Sequence, residues 1–230
     1  MTKRKEMSAA QFMVELRDDP DVAARQRVTE EGQASRSREF ALILEPMLAE
    51  LSDVEYNVLD LNDLVERYAP LPDQAVQILL AWLPKIQHPA LKEQIVRSLG
   101  ASAAPFNGAA LASTFETTSS EPLRWAIANT IAEAKPSGLE QWLVGALSNE
   151  RYGKAREMLL IATSRLMDPK EARALILPFL VQMPLHAALA LAESGGPHEL
   201  EVLKKRLRVV KGVERKEFES AIRKIRKRLV

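Results

Sequence analysis

The chain has 230 residues, of which 47% are hydrophobic, 27% are charged and 5% are aromatic, and its formal net charge is +1. This composition is ordinary for a globular protein with one large interior. The absence of cysteine excludes disulfides, a thiolate nucleophile and a cysteine metal site. The sequence contains neither a run of about 18 apolar residues that could span a membrane nor a signal peptide at its start. We therefore expect a soluble, cytoplasmic protein.

The first third of the chain is predicted to be helical but irregular. Residues 1–20 read as a polar arm around a short apolar piece at 12–16, which is too short to form a stable helix alone. Residues 21–72, which are rich in acidic side chains, are predicted to form a helical N-terminal cap. Pro46 should kink or divide its helix, because proline lacks an N–H and crowds the preceding turn.

From residue 73 onward, one amphipathic helical pattern recurs at a nearly fixed interval. It starts at Pro89, Pro122 and Pro184, with a degenerate copy near Gly153, and the prolines are 33 and 62 residues apart. Proline suits the first helical turn, where its missing N–H would have no partner. Such a recurrence is typical of stacked helix pairs. We predict first helices at about 73–86, 105–116, 137–148, 169–181 and 197–209, and second helices at about 89–99, 121–134, 151–167, 184–193 and 213–229.

These pairs predict an all-α fold, because no stretch alternates apolar and polar residues as a strand would. A single helix pair cannot bury its apolar face, so neighbouring pairs must stack and both ends must be capped. Residues 73–230 are therefore predicted to form an α-solenoid of about five pairs. Its last helix is expected to act as a basic C-terminal cap that turns four cations outward, namely Arg223, Lys224, Arg226 and Lys227.

The repeat pattern is clearest in Glu121-Pro122-Leu123-Arg124-Trp125-Ala126-Ile127-Ala128, where a proline, an apolar and a basic residue open an alanine-rich helix. This pattern resembles the short HEAT-like repeats of the subtype also seen in phycobilisome lyases. The resemblance covers about 73–210 and implies a HEAT-like solenoid whose second helices line a concave face. Repeats of this kind serve scaffolds, adaptors, a few lyases and some DNA glycosylases, so the resemblance leaves the function open. Gly153 in place of proline and His186 in place of arginine depart from the pattern.

A search of the sequence for catalytic or metal-binding motifs gives no candidate. The three histidines fall in separate units, without the short His-to-His or Glu-to-His spacing of a metal site. No glycine-rich phosphate loop and no nucleophile elbow around a serine occurs. We therefore predict no cofactor, no metal and no catalytic residue; the sequence favours a non-enzyme and leaves an enzyme open.

The candidate binding residues are polar side chains on the second helices, which would line the concave face. They are Lys92, Arg97, Arg124, Trp125, Asn129, Arg156 and His186. One interpretation is a basic ladder that holds an acidic peptide or a phosphate backbone. The alternative is that the arginines pair with acidic residues of neighbouring repeats, such as Glu93 or Glu157, and bind nothing.

The sequence is compatible with three functions. The favoured one is a scaffold or adaptor that binds a protein partner through its concave face. The alternative is a nucleic-acid-binding protein similar to the DNA glycosylases, although near-neutral charge does not favour duplex binding. A chromophore lyase is the third. Residues 204–230 carry 12 Lys or Arg against three Glu, so we expect a monomer or a weak, salt-sensitive self-association.

Overall fold

The computed structural model describes residues 20–230, and this part of the chain is all-helical, which confirms the predicted fold class. It contains twelve α-helices and two short 3-10 helices, Glu150–Tyr152 and Leu177–Leu180, and no strand. The α-helices are α1 (Pro20–Asp53), α2 (Leu61–Tyr68), α3 (Asp73–Trp82), α4 (Pro89–Leu99), α5 (Ala109–Thr117), α6 (Glu121–Ala134), α7 (Glu140–Ser148), α8 (Ala155–Leu166), α9 (Pro169–Ile176), α10 (Pro184–Ser194), α11 (Pro197–Arg206) and α12 (Gly212–Leu229).

Helix α1 runs through Pro46 without interruption, so this proline does not divide it into two helices. The chain does separate into two compact units at this proline, one ending at Pro46 and the other comprising Met47–Val230. The boundary falls inside the predicted cap at 21–72. The predicted arm at 1–20 lies outside the described residues, except for Pro20.

Several helix starts in the second unit carry a side-chain cap next to a proline or an acidic residue. Asp60 accepts a hydrogen bond from the N–H of Asp63 at 2.8 Å, as expected for the cap of α2. Ser120 accepts one from the N–H of Leu123 at 3.3 Å, just before the proline in the first turn of α6. Such caps satisfy N–H groups that have no partner within the helix. A helix is present at each of the ten positions predicted between residues 73 and 230.

Helix α5 begins at Ala109 rather than near residue 105, because the residues before it form contacts with a later loop. The carbonyl of Phe106 accepts a hydrogen bond from the N–H of Ser137 at 2.8 Å, and the N–H of Gly108 donates to the Ser137 carbonyl at 3.0 Å. Earlier in the chain, Leu71 forms the same kind of parallel bridge with Ser102. Main-chain groups in these loops are thus paired outside the helices, as buried backbone requires.

The even-numbered helices of the second unit pack against one another in chain order, from α2 through α4, α6, α8 and α10 to α12. Each odd-numbered helix from α3 onward packs against the even-numbered helix that follows it. Equivalent core positions are fully buried and 32 residues apart, at Ile95, Ile127, Leu159 and Leu191. Full burial of each such side chain stabilises the fold by about 1.5–3 kcal/mol. The even-numbered helices therefore share one continuous apolar interior.

Candidate partner-binding surface

Two of the candidate arginines point to the preceding helix and cap it. Arg124 donates through Nε to the carbonyl of Phe115 at 3.2 Å, in the last turn of α5, and through a terminal nitrogen to the carbonyl of Thr118. Arg156 donates through Nη1 to the carbonyl of Leu147 at 3.4 Å, in the last turn of α7. The last carbonyls of a helix have no partner within it. Both arginines therefore stabilise the fold. They bind main-chain carbonyls, whereas the sequence suggested acidic side chains of neighbouring helices as their partners.

The remaining charged candidates have acidic partners or none. Arg97 pairs with Glu93 on its own helix at 2.7 Å, and Nδ1 of His186 lies 3.4 Å from Oε2 of Glu157 on the neighbouring helix α8. Lys92 and Asn129 are half-buried, and neither side chain forms a hydrogen bond or ion pair with the residues that the structure describes.

The even-numbered helices do not present a uniformly basic row. Glu93 and Glu157 lie 32 residues before and after Trp125, at equivalent places on α4 and α8. Two of the cations between them are engaged as helix caps. The surface around Trp125 is therefore mixed in charge, and Trp125 is the exposed aromatic side chain on it.

Trp125 is the most exposed aromatic side chain among the described large hydrophobic residues, with an exposed fraction of 37%. It borders a cleft of about 220 Å³ at the start of α6 and α8, lined by Glu121, Pro122, Arg124, Trp125, Tyr152, Lys154 and Ala155. Below the cleft, the rings of Phe115 and Tyr152 meet edge to face with centroids 4.9 Å apart, and the Arg124 guanidinium lies 5.4 Å from the Tyr152 centroid. The packed rings and the helix cap hold the floor of the cleft in place.

Sequence reasoning missed Arg165, which links three even-numbered helices. From α8 it donates to both carboxylate oxygens of Glu193 on α10 at 2.8 Å, and to Glu133 on α6, also at 2.8 Å. It also donates to the carbonyl of Ala132 at 3.1 Å. The hydrogen bonds to Glu193 and Glu133 outweigh the effect of burial and raise the pKa of Arg165. The signal in the sequence was a charged residue in the last turn of each of these helices.

The four cations predicted to point outward from the last helix are exposed: Arg223, Lys224, Arg226 and Lys227. None of them forms an ion pair with the part of the chain that the structure describes. Their neighbour Arg228 donates to the carbonyl of Ala192 at 3.1 Å and so caps α10. The C-terminal helix thus combines an exposed basic surface with one structural arginine.

Among the side chains that the structure describes, no three His, Asp or Glu are grouped closely enough to hold a metal ion. No helix of the described residues is long and apolar enough to cross a membrane. No family model matches the chain, and neither a curated protein nor a solved structure matches it.

Proposed function

We propose that this chain is a HEAT-like α-solenoid that acts as a non-catalytic scaffold or adaptor and binds a protein partner. The binding surface would be the row of even-numbered helices, centred on the cleft at Trp125. The observation that carries the proposal is this exposed tryptophan, held on a rigid floor and surrounded by polar side chains. Tryptophan and arginine dominate the few residues that supply most of the affinity in protein interfaces.

The recurrence of similar contacts from one helix pair to the next supports a repeat architecture. Arg124 and Arg156 each reach a carbonyl nine residues earlier, in the helix before their own. The loop bridges at Leu71 and Asn107 also recur from one pair to the next. In repeat proteins each unit contacts only its neighbours, and the packing order of the even-numbered helices fits that rule.

A protein partner is favoured over a nucleic acid by the charges at the cleft. Nucleic-acid affinity comes largely from cations that neutralise phosphates, but Arg124 is bonded to main-chain carbonyls. Glu121 also lines the cleft, and its carboxylate would repel a phosphate backbone. Lys154 is the one exposed cation among the lining residues. These charges favour binding of an apolar side chain of a protein partner, surrounded by polar groups, over binding of a nucleic-acid phosphate backbone.

The test is affinity capture from a native cell extract with the wild type, Trp125→Ala and the matched control Leu59→Ala. Leu59 is an exposed apolar residue outside the cleft. We expect Trp125→Ala to lose the partners, because truncating an interface hot spot costs at least about 2 kcal/mol, or about 30-fold in affinity. The Leu59→Ala capture should match the wild type.

A nuclease-treated sample separates the two classes of partner. Loss of every partner after nuclease treatment would contradict the proposal and favour nucleic-acid binding. An unchanged set of partners with Trp125→Ala would show that the cleft is not the binding surface. Thermal melting of both variants checks that neither has lost its fold.

A further inference from the structure

A second surface lies at the last helix pairs, where a shallow groove runs between the 3-10 helix Leu177–Leu180 and α11. The groove has a volume of about 400 Å³ and is lined by Leu177, Leu180, Val181, Val202, Lys205, Arg206 and Val209. Two of its valines are strongly exposed, Val181 by 70% and Val209 by 67%. Single exposed apolar residues are normal on a protein surface, but a contiguous apolar patch marks an interaction site. We call this surface the valine groove.

Two cations border the apolar floor of the valine groove. Lys205 is exposed at its edge. Arg206 is half-buried, and its Nε has neither solvent contact nor an acceptor among the described residues. A buried N–H without a partner costs stability, and a carboxylate that enters the groove could recruit this guanidinium.

The positive charge continues on the other side of α11. Lys204, Arg223 and Arg226 line a neighbouring groove of about 440 Å³ between α11 and α12, together with Leu207, Glu219 and Ile222. Lys204 is paired with Glu201 at 2.5 Å and Glu219 with Arg215 at 3.0 Å. Among the described residues, Arg223 and Arg226 therefore supply the unpaired charge. The surroundings of the valine groove are therefore basic, while its floor is aliphatic.

We propose that the valine groove binds an acidic amphipathic helix of a partner protein. The aliphatic stripe of that helix would cover Val181 and Val209, and its aspartate or glutamate side chains would face Lys205 and Arg206. Three common modes of peptide recognition can be compared here. Addition of a strand needs a sheet edge, which the described residues lack, and proline-rich peptides need an aromatic groove. An apolar helix face in an aliphatic groove is the mode that these residues match.

A single-stranded nucleic acid is a poorer match for the same surface. Such ligands combine a basic track with aromatic rings on which bases stack, and no aromatic side chain lines the valine groove. This inference involves none of the residues of the Trp125 cleft. Its failure would leave the proposed function standing, and the reverse is also true.

The probe is a fluorescein-labelled peptide of about 16 residues, or about four helical turns, with leucines on one face and glutamates beside them. Its binding to the full chain is followed by fluorescence anisotropy. The comparison ligands are the same peptide with lysine in place of glutamate and a single-stranded DNA oligonucleotide of equal net charge. We expect the acidic peptide to bind and the lysine peptide to bind at least about tenfold more weakly, because the lysines of that peptide would be repelled by Lys205 and Arg206 of the groove.

The variants Val209→Asp and Val213→Asp form a matched pair. Both valines are exposed to nearly the same extent, 67% and 68%, but Val213 is not among the residues lining the groove. Val209→Asp should weaken peptide binding at least about tenfold, because it places a charge against the apolar face. Val213→Asp should change binding by less than about twofold, and both variants should melt like the wild type because the sites are exposed.

Three results would overturn the proposal. The first is the absence of binding between the acidic peptide and the wild type. The second is equal weakening of peptide binding by Val209→Asp and Val213→Asp, which would show that the peptide is attracted by the overall charge and not bound in the groove. The third is binding of the oligonucleotide as tightly as the peptide, together with no response of peptide binding to Val209→Asp. That result would make the surface a nucleic-acid site.

Discussion

At the scale of single residues, the acceptor of each arginine determines its role. Arg156 is almost completely buried, and its guanidinium reaches the carbonyl of Leu147 and lies 5.9 Å from the ring of Phe179. Arg97 is exposed and pairs with Glu93 within one helix. Arginine on two of the even-numbered helices thus has two different energetic roles.

Replacing these two arginines by methionine, which keeps an apolar stem, should separate the roles. Arg156→Met removes a charged hydrogen-bond donor from a buried carbonyl and should lower the free energy of unfolding by about 1.5–3 kcal/mol. Arg97→Met removes an exposed ion pair between helical neighbours and should lower it by about 0.3–0.5 kcal/mol. Urea unfolding of both variants gives the two values. Equal losses would contradict the distinction drawn between a buried cap and an exposed pair.

The candidate surface was only partly predictable from these residues. The sequence places Arg124, Trp125 and Asn129 on one helix, because their spacing is local. It does not reveal the acceptor of Arg124, because that depends on how closely α5 and α6 approach each other. Nor does it reveal the valine groove, because Val181 and Val209 are far apart in sequence and meet only through tertiary packing.

At the scale of elements, helix limits were predictable where the determining groups are local. The limits of α4 and α6 match the predicted 89–99 and 121–134, since a capping residue and a proline stand at each start. The start of α5 was predicted four residues too early, because the bridge to Ser137 is a contact with a distant loop. Local signals therefore predicted the limits of α4 and α6, whereas the start of α5 depends on a hydrogen-bonded contact with a distant loop.

The start of α11 gives a pH-dependent prediction through Glu199, which accepts the N–H of Gly196 at 2.8 Å and lies 3.4 Å from Arg173. Burial alone would raise the pKa of this carboxyl, but the hydrogen bonds from Gly196 and His198 and the charge of Arg173 outweigh it and lower the pKa below the ordinary 4.5. A lowered pKa in the folded state stabilises the protein above the unfolded value and loses that contribution as pH falls.

The expected result concerns the difference in unfolding free energy between the wild type and Glu199→Gln. It should be constant from pH 7 down to about pH 5 and shrink below about pH 4.5, as the wild-type carboxylate becomes protonated. Chemical denaturation across this range measures it, with Glu66→Gln as a control at an exposed position outside any described ion pair. A difference for Glu199→Gln that stays constant through acid pH would show that the carboxylate charge is not stabilising.

At the scale of the whole molecule, charge is distributed unevenly along a nearly neutral chain. Residues 204–230 carry 12 Lys or Arg against three Glu, although the net charge is only +1. The remaining residues therefore carry a net negative charge, and two copies can attract one another through opposite regions. Exposed ion pairs are worth only about 0–1 kcal/mol each, so any association must be weak.

Light scattering at high protein concentration tests this attraction. We expect a monomer at about 0.15 M salt, where the Debye length is about 8 Å, and a larger apparent mass at low ionic strength. Arg223→Glu combined with Lys227→Glu should abolish the increase, because both side chains are exposed on α12. A monomeric mass at low salt, or an increase that ignores salt and charge reversal, would rule out electrostatic self-association.

The arginine caps also impose an order on folding during synthesis, because each arginine lies later in the chain than the helix whose end it caps. Arg124 and Arg156 follow their acceptors on α5 and α7 by nine residues, and Arg228 follows its acceptor on α10 by 36. On the ribosome, the carbonyl end of each of these helices therefore stays hydrated until the next segment has emerged. A nascent chain paused after α5 or after α7 would leave the end of its newest helix uncapped, and the second helix of the same pair would then bring the arginine that completes the first.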